Sequence, residues 1–194
     1  DGEFQLFSRI PISRIGNDTS PDEYGEVCKD IASYLSIPRV NVQEISSLPF
    51  TQEEQLTLES FSAMKKCTDK EIMFRPIPAG ARCFLVSRGS KYFLISNEMC
   101  REVKISLFQN QSGQSNFITG LLFEGFLIRH KYEEKPYFYI TDCFNFNNDL
   151  SGLPYKSRLE EADKVTDLQE SNGADIDSFV LRVTETFQIE KFED

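Results

Sequence analysis

Apolar and polar positions alternate most regularly between Arg75 and Asp149. Within that stretch Arg82–Arg88, Lys91–Ser96, Val103–Phe108, Thr119–Arg129 and Tyr137–Phe144 are rich in Phe, Tyr, Ile, Leu and Val. Turns of Gly, Ser, Asn or charged residues separate them. Segments of this length and composition predict five strands in quick succession, hence a largely antiparallel sheet. Arg88-Gly89-Ser90-Lys91 reads as a tight turn joining two of them. Gln109–Asn116, polar and carrying Gly and Ser, is predicted to be a loop. Lys131–Lys135 turns the chain, and Asn145, Asn147 and Asn148 mark another turn.

The flanking segments have a different period. Phe4–Ile15 alternates loosely and predicts an edge strand broken by Pro11. Ser20-Pro21-Asp22-Glu23 is a helix start, with Ser20 as N-cap, Pro21 at the first helical position and Glu23 closing a capping box. That helix runs to about Leu35, with Tyr24, Val27, Cys28, Ile31 and Leu35 on its core face and Pro38 as its stop. Thr51-Gln52-Glu53-Glu54 opens a second predicted helix to about Lys66, with Leu58, Phe61 and Met64 inward. A third starts at Tyr155, turns Leu159, Ala162, Val165 and Leu168 inward, and ends at Asn172-Gly173. Phe179–Val183 predicts a further strand before an acidic, exposed tail. The expectation is a single α+β domain over residues 1–194, with a helical layer in 1–70 on one face of the sheet. Residues 71–194 then hold the sheet core and the C-terminal helix.

Composition narrows the class. At 194 residues and 40% hydrophobic content the chain buries a substantial core. No apolar run approaches the ~18 residues of a membrane span, and the start carries no signal-peptide pattern, so an intracellular place, nuclear or cytoplasmic, is expected. The five cysteines are odd in number and form no C-x-x-C, which predicts buried free thiols in a reducing compartment. The net charge of −10 is unevenly spread: residues 76–144 carry 8 basic against 6 acidic groups, and residues 145–194 carry 5 against 12. An acidic body repels polyphosphate and argues against extended DNA binding. The basic groups of the sheet, Arg82, Arg88, Lys91, Arg101, Lys104 and Arg129, either hold a small anion or guard strand edges.

Candidate chemistry is sparse. His130 is the only histidine, which leaves Ser and Cys nucleophiles without the usual base and rules out metal sites built from several histidines. No P-loop or dinucleotide fingerprint is present, and no cofactor is expected. Among the carboxylates only Glu124 and Asp142 lie inside strand-forming sequence. They either share one end of a pocket or are two structural acids on an open sheet face.

Four stretches occur in a meaningful order. Ile77-Pro78-Ala79-Gly80-Ala81-Arg82 precedes a strand hairpin, and Glu124-Gly125-Phe126-Leu127-Ile128 follows. Tyr137–Asp142 comes next, then Phe146-Asn147-Asn148-Asp149-Leu150, ahead of a helix carrying Arg158-Leu159. This order resembles the covalent nucleotidyltransferase superfamily, meaning mRNA capping guanylyltransferases and ATP-dependent ligases, over roughly residues 70–165. Gly80 and Arg82 match its first motif, Lys-x-Asp-Gly-x-Arg, and Glu124-Gly125 resembles the start of its Asp-Gly-Glu motif. The nucleophilic lysine, however, is Ile77, the acidic residue of the same motif is Ala79, and the glutamate of the later motif is Phe126. Isoleucine has no lone pair, so the resemblance implies a catalytically inactive member. Pro78-Ala79-Gly80-Ala81-Arg82 and Ser87-Arg88-Gly89-Ser90 look most like the snurportin-like, cap-binding branch, although this chain has no Trp.

The implied function is binding of a capped RNA end or nucleotide, with Arg82, Arg88, Glu124 and Asp142 as the ligand-binding set. Arg82 or Arg88 would face phosphate, and Phe or Tyr side chains would stack on the base. One alternative is a protein-interaction scaffold that retains only the fold. Another is a fragment of an active capping guanylyltransferase. A sheet lacking the family's later strands is also expected to associate with a protein partner or with itself through an aromatic surface.

Overall fold

Strand sequence that is apolar at nearly every position, as in Cys83–Val86 or Tyr92–Ile95, requires cover on both faces of its sheet. The computed structural model, which describes residues 7–40, 73–75, 81–111 and 114–188, supplies that cover with two helices. The elements in order are β1 (Phe7–Arg9), a 3-10 turn (Ile12–Arg14), β2 (Asn17–Asp18), α1 (Pro21–Tyr34), β3 (Met73–Phe74), β4 (Ala81–Arg88) and β5 (Lys91–Ile95). There follow β6 (Cys100–Val103), β7 (Phe108–Gln111), β8 (Gln114–Phe117), β9 (Leu121–His130), β10 (Tyr137–Phe146) and β11 (Asn148–Asp149). The described chain closes with α2 (Tyr155–Asn172), β12 (Val180–Val183) and β13 (Phe187–Gln188). The expected helix from Thr51 to Lys66, Cys67 and the stretch Ile77 to Gly80 lie outside the described residues.

The main sheet runs β11-β10-β9-β4-β5-β6-β2, with β1 also paired to β9 and β12 to β10. Every pair is antiparallel except β10–β12. Two small sheets, β3–β13 and β7–β8, stand beside it. Alternation along the strands sorts the core into two clusters. Phe84, Val86, Phe93, Ile95 and Leu122 pack with Val27, Cys28 and Ile31 of α1. Cys83, Leu85, Leu94, Phe123, Phe138 and Ile140 pack with Ala162 and Val165 of α2. Each fully buried Phe or Leu contributes about 1.5–3 kcal/mol. The two described helices therefore cover opposite faces.

Local sequence explains how each helix is fixed. The Ser20 hydroxyl accepts from the Glu23 N–H at 3.2 Å, with Pro21 at the first helical position. Tyr24 and Tyr34 donate their hydroxyls to the carbonyls of Ser96 (3.0 Å) and Ser87 (3.1 Å), tying α1 to the sheet. On α2 the buried Gln169 donates to Asp177 and to the Phe179 carbonyl and accepts from the Leu181 N–H. Those bonds fasten the helix to β12. Gly173, at φ +78°, ends α2 where the sequence pattern placed its stop.

Two expectations need correction. The strand expected over Val103–Phe108 ends at Val103, because the next residues leave the ladder and bond instead to the 177–178 turn. Lys104 N–H donates to Ser178 Oγ at 2.9 Å, Ser178 N–H to the Lys104 carbonyl at 2.8 Å, and Ser106 Oγ to Asp177 at 2.6 Å. Ile105 and Leu107 still bury their side chains, which is why the segment carries a strand-like period. The polar segment expected as a loop from Gln109 to Asn116 is largely the β7–β8 hairpin. The N-terminal edge strand is seen as β1 and is broken at Pro11, where the 3-10 turn opens; residues 4–6 lie outside the described residues.

Cys28, Cys83, Cys100 and Cys143 are free and buried. Burial pushes the Cys83 and Cys100 thiols up to about 12 and raises those of Cys28 and Cys143 as well. Treatment of the folded protein with a thiol-reactive disulfide at pH 8 should therefore leave these four unmodified, and unfolding in guanidinium should release all of them. Mass mapping that finds rapid native-state labelling at Cys83 or Cys143 would contradict this packing.

Candidate functional site

The site is set by an irregularity where β9 meets β10. Gly125 lets the strands approach closely: a Cβ there would lie 2.3 Å from the Tyr139 carbonyl oxygen and 2.7 Å from the Phe138 ring. Just beyond, the register slips, so that Ile140 pairs with Gly125 and Asp142 with Glu124, leaving Thr141 as the bulged residue. The bulge brings two carboxylates side by side, with Glu124 only 1% exposed and Asp142 fully buried. Burial of an ionised carboxylate costs several kcal/mol unless it is paired.

Each acid has its own cation. Arg82 lies two positions before Phe84, the register partner of Glu124 on β4, and so shares its face. Its Nη2 donates to Glu124 Oε2 at 2.9 Å, and Thr141 Oγ1 donates to Glu124 Oε1 at 3.1 Å. Asp142 is gripped by a two-pronged fork: Arg158 Nε to Oδ1 at 2.8 Å and Nη2 to Oδ2 at 3.0 Å. The Cys143 N–H adds a third bond to Oδ1 at 2.8 Å. The carbonyl of Thr141, freed from the ladder, accepts from Tyr155 Oη (2.7 Å) and Arg75 Nη1 (3.0 Å). The guanidinium carbons of Arg158 and Arg75 stand 5.5 and 6.0 Å from the centre of the Tyr155 ring, within cation–π range.

Burial raises the Asp142 carboxyl above its ordinary value against the pull of Arg158, and nearby Glu124 adds to the rise. Burial likewise pushes the Tyr155 phenol up to about 12. Two guanidiniums thus each pair with one buried carboxylate, and Arg75 joins the cluster through the Thr141 carbonyl. Arg82, 33% exposed at its side chain, also borders a cleft of about 250 Å³ whose lining includes Ser13, Ser96, Asn97 and Glu98. Among the described residues no group of three or more His, Cys, Asp or Glu is placed to hold a metal ion, and no helix is long and apolar enough to cross a membrane.

Arg82, Glu124 and Asp142 are neighbours in the sheet, and of the three only Arg82 lines the cleft. Arg88 stands apart, six residues along β4 and about 20 Å away at the usual rise. Its Nη1 donates to Asp30 at 2.8 Å and its Nη2 to Glu26 at 3.4 Å, clamping the hairpin end to α1. His130 lies at the end of β9, where its Nδ1 accepts from the Tyr132 N–H at 3.3 Å. The ligand-binding set named from sequence omitted Arg75, Thr141, Tyr155 and Arg158, although the motif stretches included Thr141 and Arg158. The Tyr155/Arg158 spacing of three at a helix start was a usable signal, whereas the bulge at Thr141 had none.

Arg158→Ala should lower stability by roughly 3–5 kcal/mol, the cost of stranding a buried charge. Arg88→Ala, at a solvent-exposed clamp, should leave the urea midpoint nearly unchanged. Equal midpoints for Arg158→Ala and wild type would remove the fork from any structural role. No family model matches the chain, and no curated protein matches it.

Proposed function

We infer that this chain is a catalytically inactive, nucleotidyltransferase-like module that binds a capped RNA end or a nucleotide. The observation carrying this reading is the position of Arg82. It is the arginine matching the superfamily's first motif, it is anchored on the buried Glu124, and its side chain, 33% exposed, borders the polar cleft. A pre-positioned fork of N–H donors suits a phosphate or a base edge. The sequence places Ile77 where the lysine nucleophile would stand, which supports binding without covalent transfer.

Two measurements test it. Labelled GTP or ATP with a divalent cation should give no denaturation-stable adduct; a lysine-linked nucleotide would refute the inactive reading. In fluorescence anisotropy with a cap analogue, Arg82→Ala should lose roughly 1.5–3 kcal/mol of binding, the worth of a charged hydrogen bond. Because that change also strands Glu124, Arg82→Lys serves as the folded control that keeps the charge and loses the fork. Wild-type affinity in both variants would take Arg82 out of the site.

One observation favours the second reading, a protein-interaction scaffold. Tyr132 (69% exposed) and Ile176 (76% exposed) sit on neighbouring loops held together by Lys135, whose ammonium donates to the carbonyls of Ala174 and Asp175. Were this the working surface, light scattering should show concentration-dependent association that Tyr132→Ser with Ile176→Ser abolishes. A monomer at every concentration counts against self-association through these loops.

A further inference from the structure

Strand register places four side chains in one row. Arg82 pairs with Phe126, Phe126 with Tyr139, and Tyr139 with Arg182, across β4, β9, β10 and β12. Directly paired residues share a face, and this face lies opposite the Phe138, Ile140 and Leu181 side packed under α2. With strands about 4.8 Å apart, the row is about 14 Å long, with a guanidinium at each end and two aromatic rings between. Phe126 and Tyr139 are half-buried and, among the described residues, belong to neither core cluster. A third ring, Tyr137, lies 6.0 Å from Tyr139, and the Arg182 guanidinium stands 5.5 Å over it. Arg182 is exposed, and its Nη1 donates to the Leu181 carbonyl at 3.0 Å.

We propose that this row is a stacking platform for the end of a single-stranded RNA, with bases on Tyr139 and Phe126 and a phosphate at Arg182. The inference rests on the proposed function and locates its base-binding surface. Aromatic rings on adjacent central strands present faces to unstacked bases, which any base can use. Cations at both ends match a phosphate backbone crossing the strands, and Glu124 fixes Arg82 at one end. Three neighbouring rings exceed what one mononucleotide covers, which favours successive bases over a free nucleotide.

The chain has no tryptophan, so Tyr139→Trp installs a single fluorescent reporter while keeping a ring at the centre of the row. A short 5′-triphosphorylated single-stranded RNA should quench it saturably and bind wild type more tightly than GTP does. Tyr139→Ala should weaken RNA binding by about 5- to 150-fold, the loss of one stacked base, and Tyr139→Phe should restore it. Arg182→Ala should flatten the slope of log affinity against log salt by about 0.7, one phosphate contact on a single strand. Quenching by GTP with no tighter binding of RNA overturns the RNA assignment. RNA binding that is unchanged in Tyr139→Ala and Arg182→Ala overturns the platform and leaves the proposed function standing. Failure of wild type to bind RNA, cap analogue or GTP overturns both.

Discussion

Two carboxylates buried side by side in the middle of a sheet are the constraint on which the rest of the site depends. Glu124 and Asp142 are register partners with almost no contact with water. Their mutual repulsion and their lost hydration must be met by cations with fixed geometry. Arg82 comes from the neighbouring strand and Arg158 from the first turns of α2, so the charge pairs tie strand to strand and helix to sheet. The Thr141 bulge is part of the same solution. It turns one carbonyl out of the ladder toward Tyr155 and Arg75, and it aims the Thr141 hydroxyl at Glu124.

The two-faced core explains why this arrangement holds its position. α1 and α2 pack on opposite faces, leaving the strands between them with little freedom to slip. Gly125 permits the closest approach of β9 and β10 immediately before the register changes. A side chain there would meet the Tyr139 backbone, which is also the backbone of the aromatic row. The rigid core thus supports both the ion-pair cluster and the half-buried aromatic row beside it, and residues on strands are held more precisely than residues on loops.

Much of this was readable in the sequence, and the misses have physical reasons. β4, β5, β9, β10 and α1 fall where apolar period and capping residues put them, because burial on one stripe or both faces leaves a local signature. The segment after Val103 kept a period of two although the Lys104 backbone bonds go to Ser178 and the Ser106 hydroxyl to Asp177, and alternation records burial rather than ladder partners. The β7–β8 hairpin was hidden by its polar composition. Glu124 and Asp142 stood out as charges inside strands, but their pairing depends on the Thr141 bulge, which left no mark in the sequence. The identity of their partners left none either, since Arg82 reaches Glu124 across 42 residues of chain and Arg158 reaches Asp142 across 16. Arg88 looked equivalent to Arg82 on the same strand, and only the position of α1 separates an exposed clamp from a site residue.

The central claim is that one sheet face, from the Arg82–Glu124 pair to Tyr139, receives a nucleotide-containing ligand without chemistry. Amide chemical-shift mapping during titration with a cap analogue tests it most directly. The account predicts saturable shifts concentrated at Arg82, Glu124, Phe126 and Tyr139, with the α1 face of the Arg88 clamp unmoved. Shifts confined to the Tyr132 and Ile176 loops, or no shifts at saturating ligand, would contradict it.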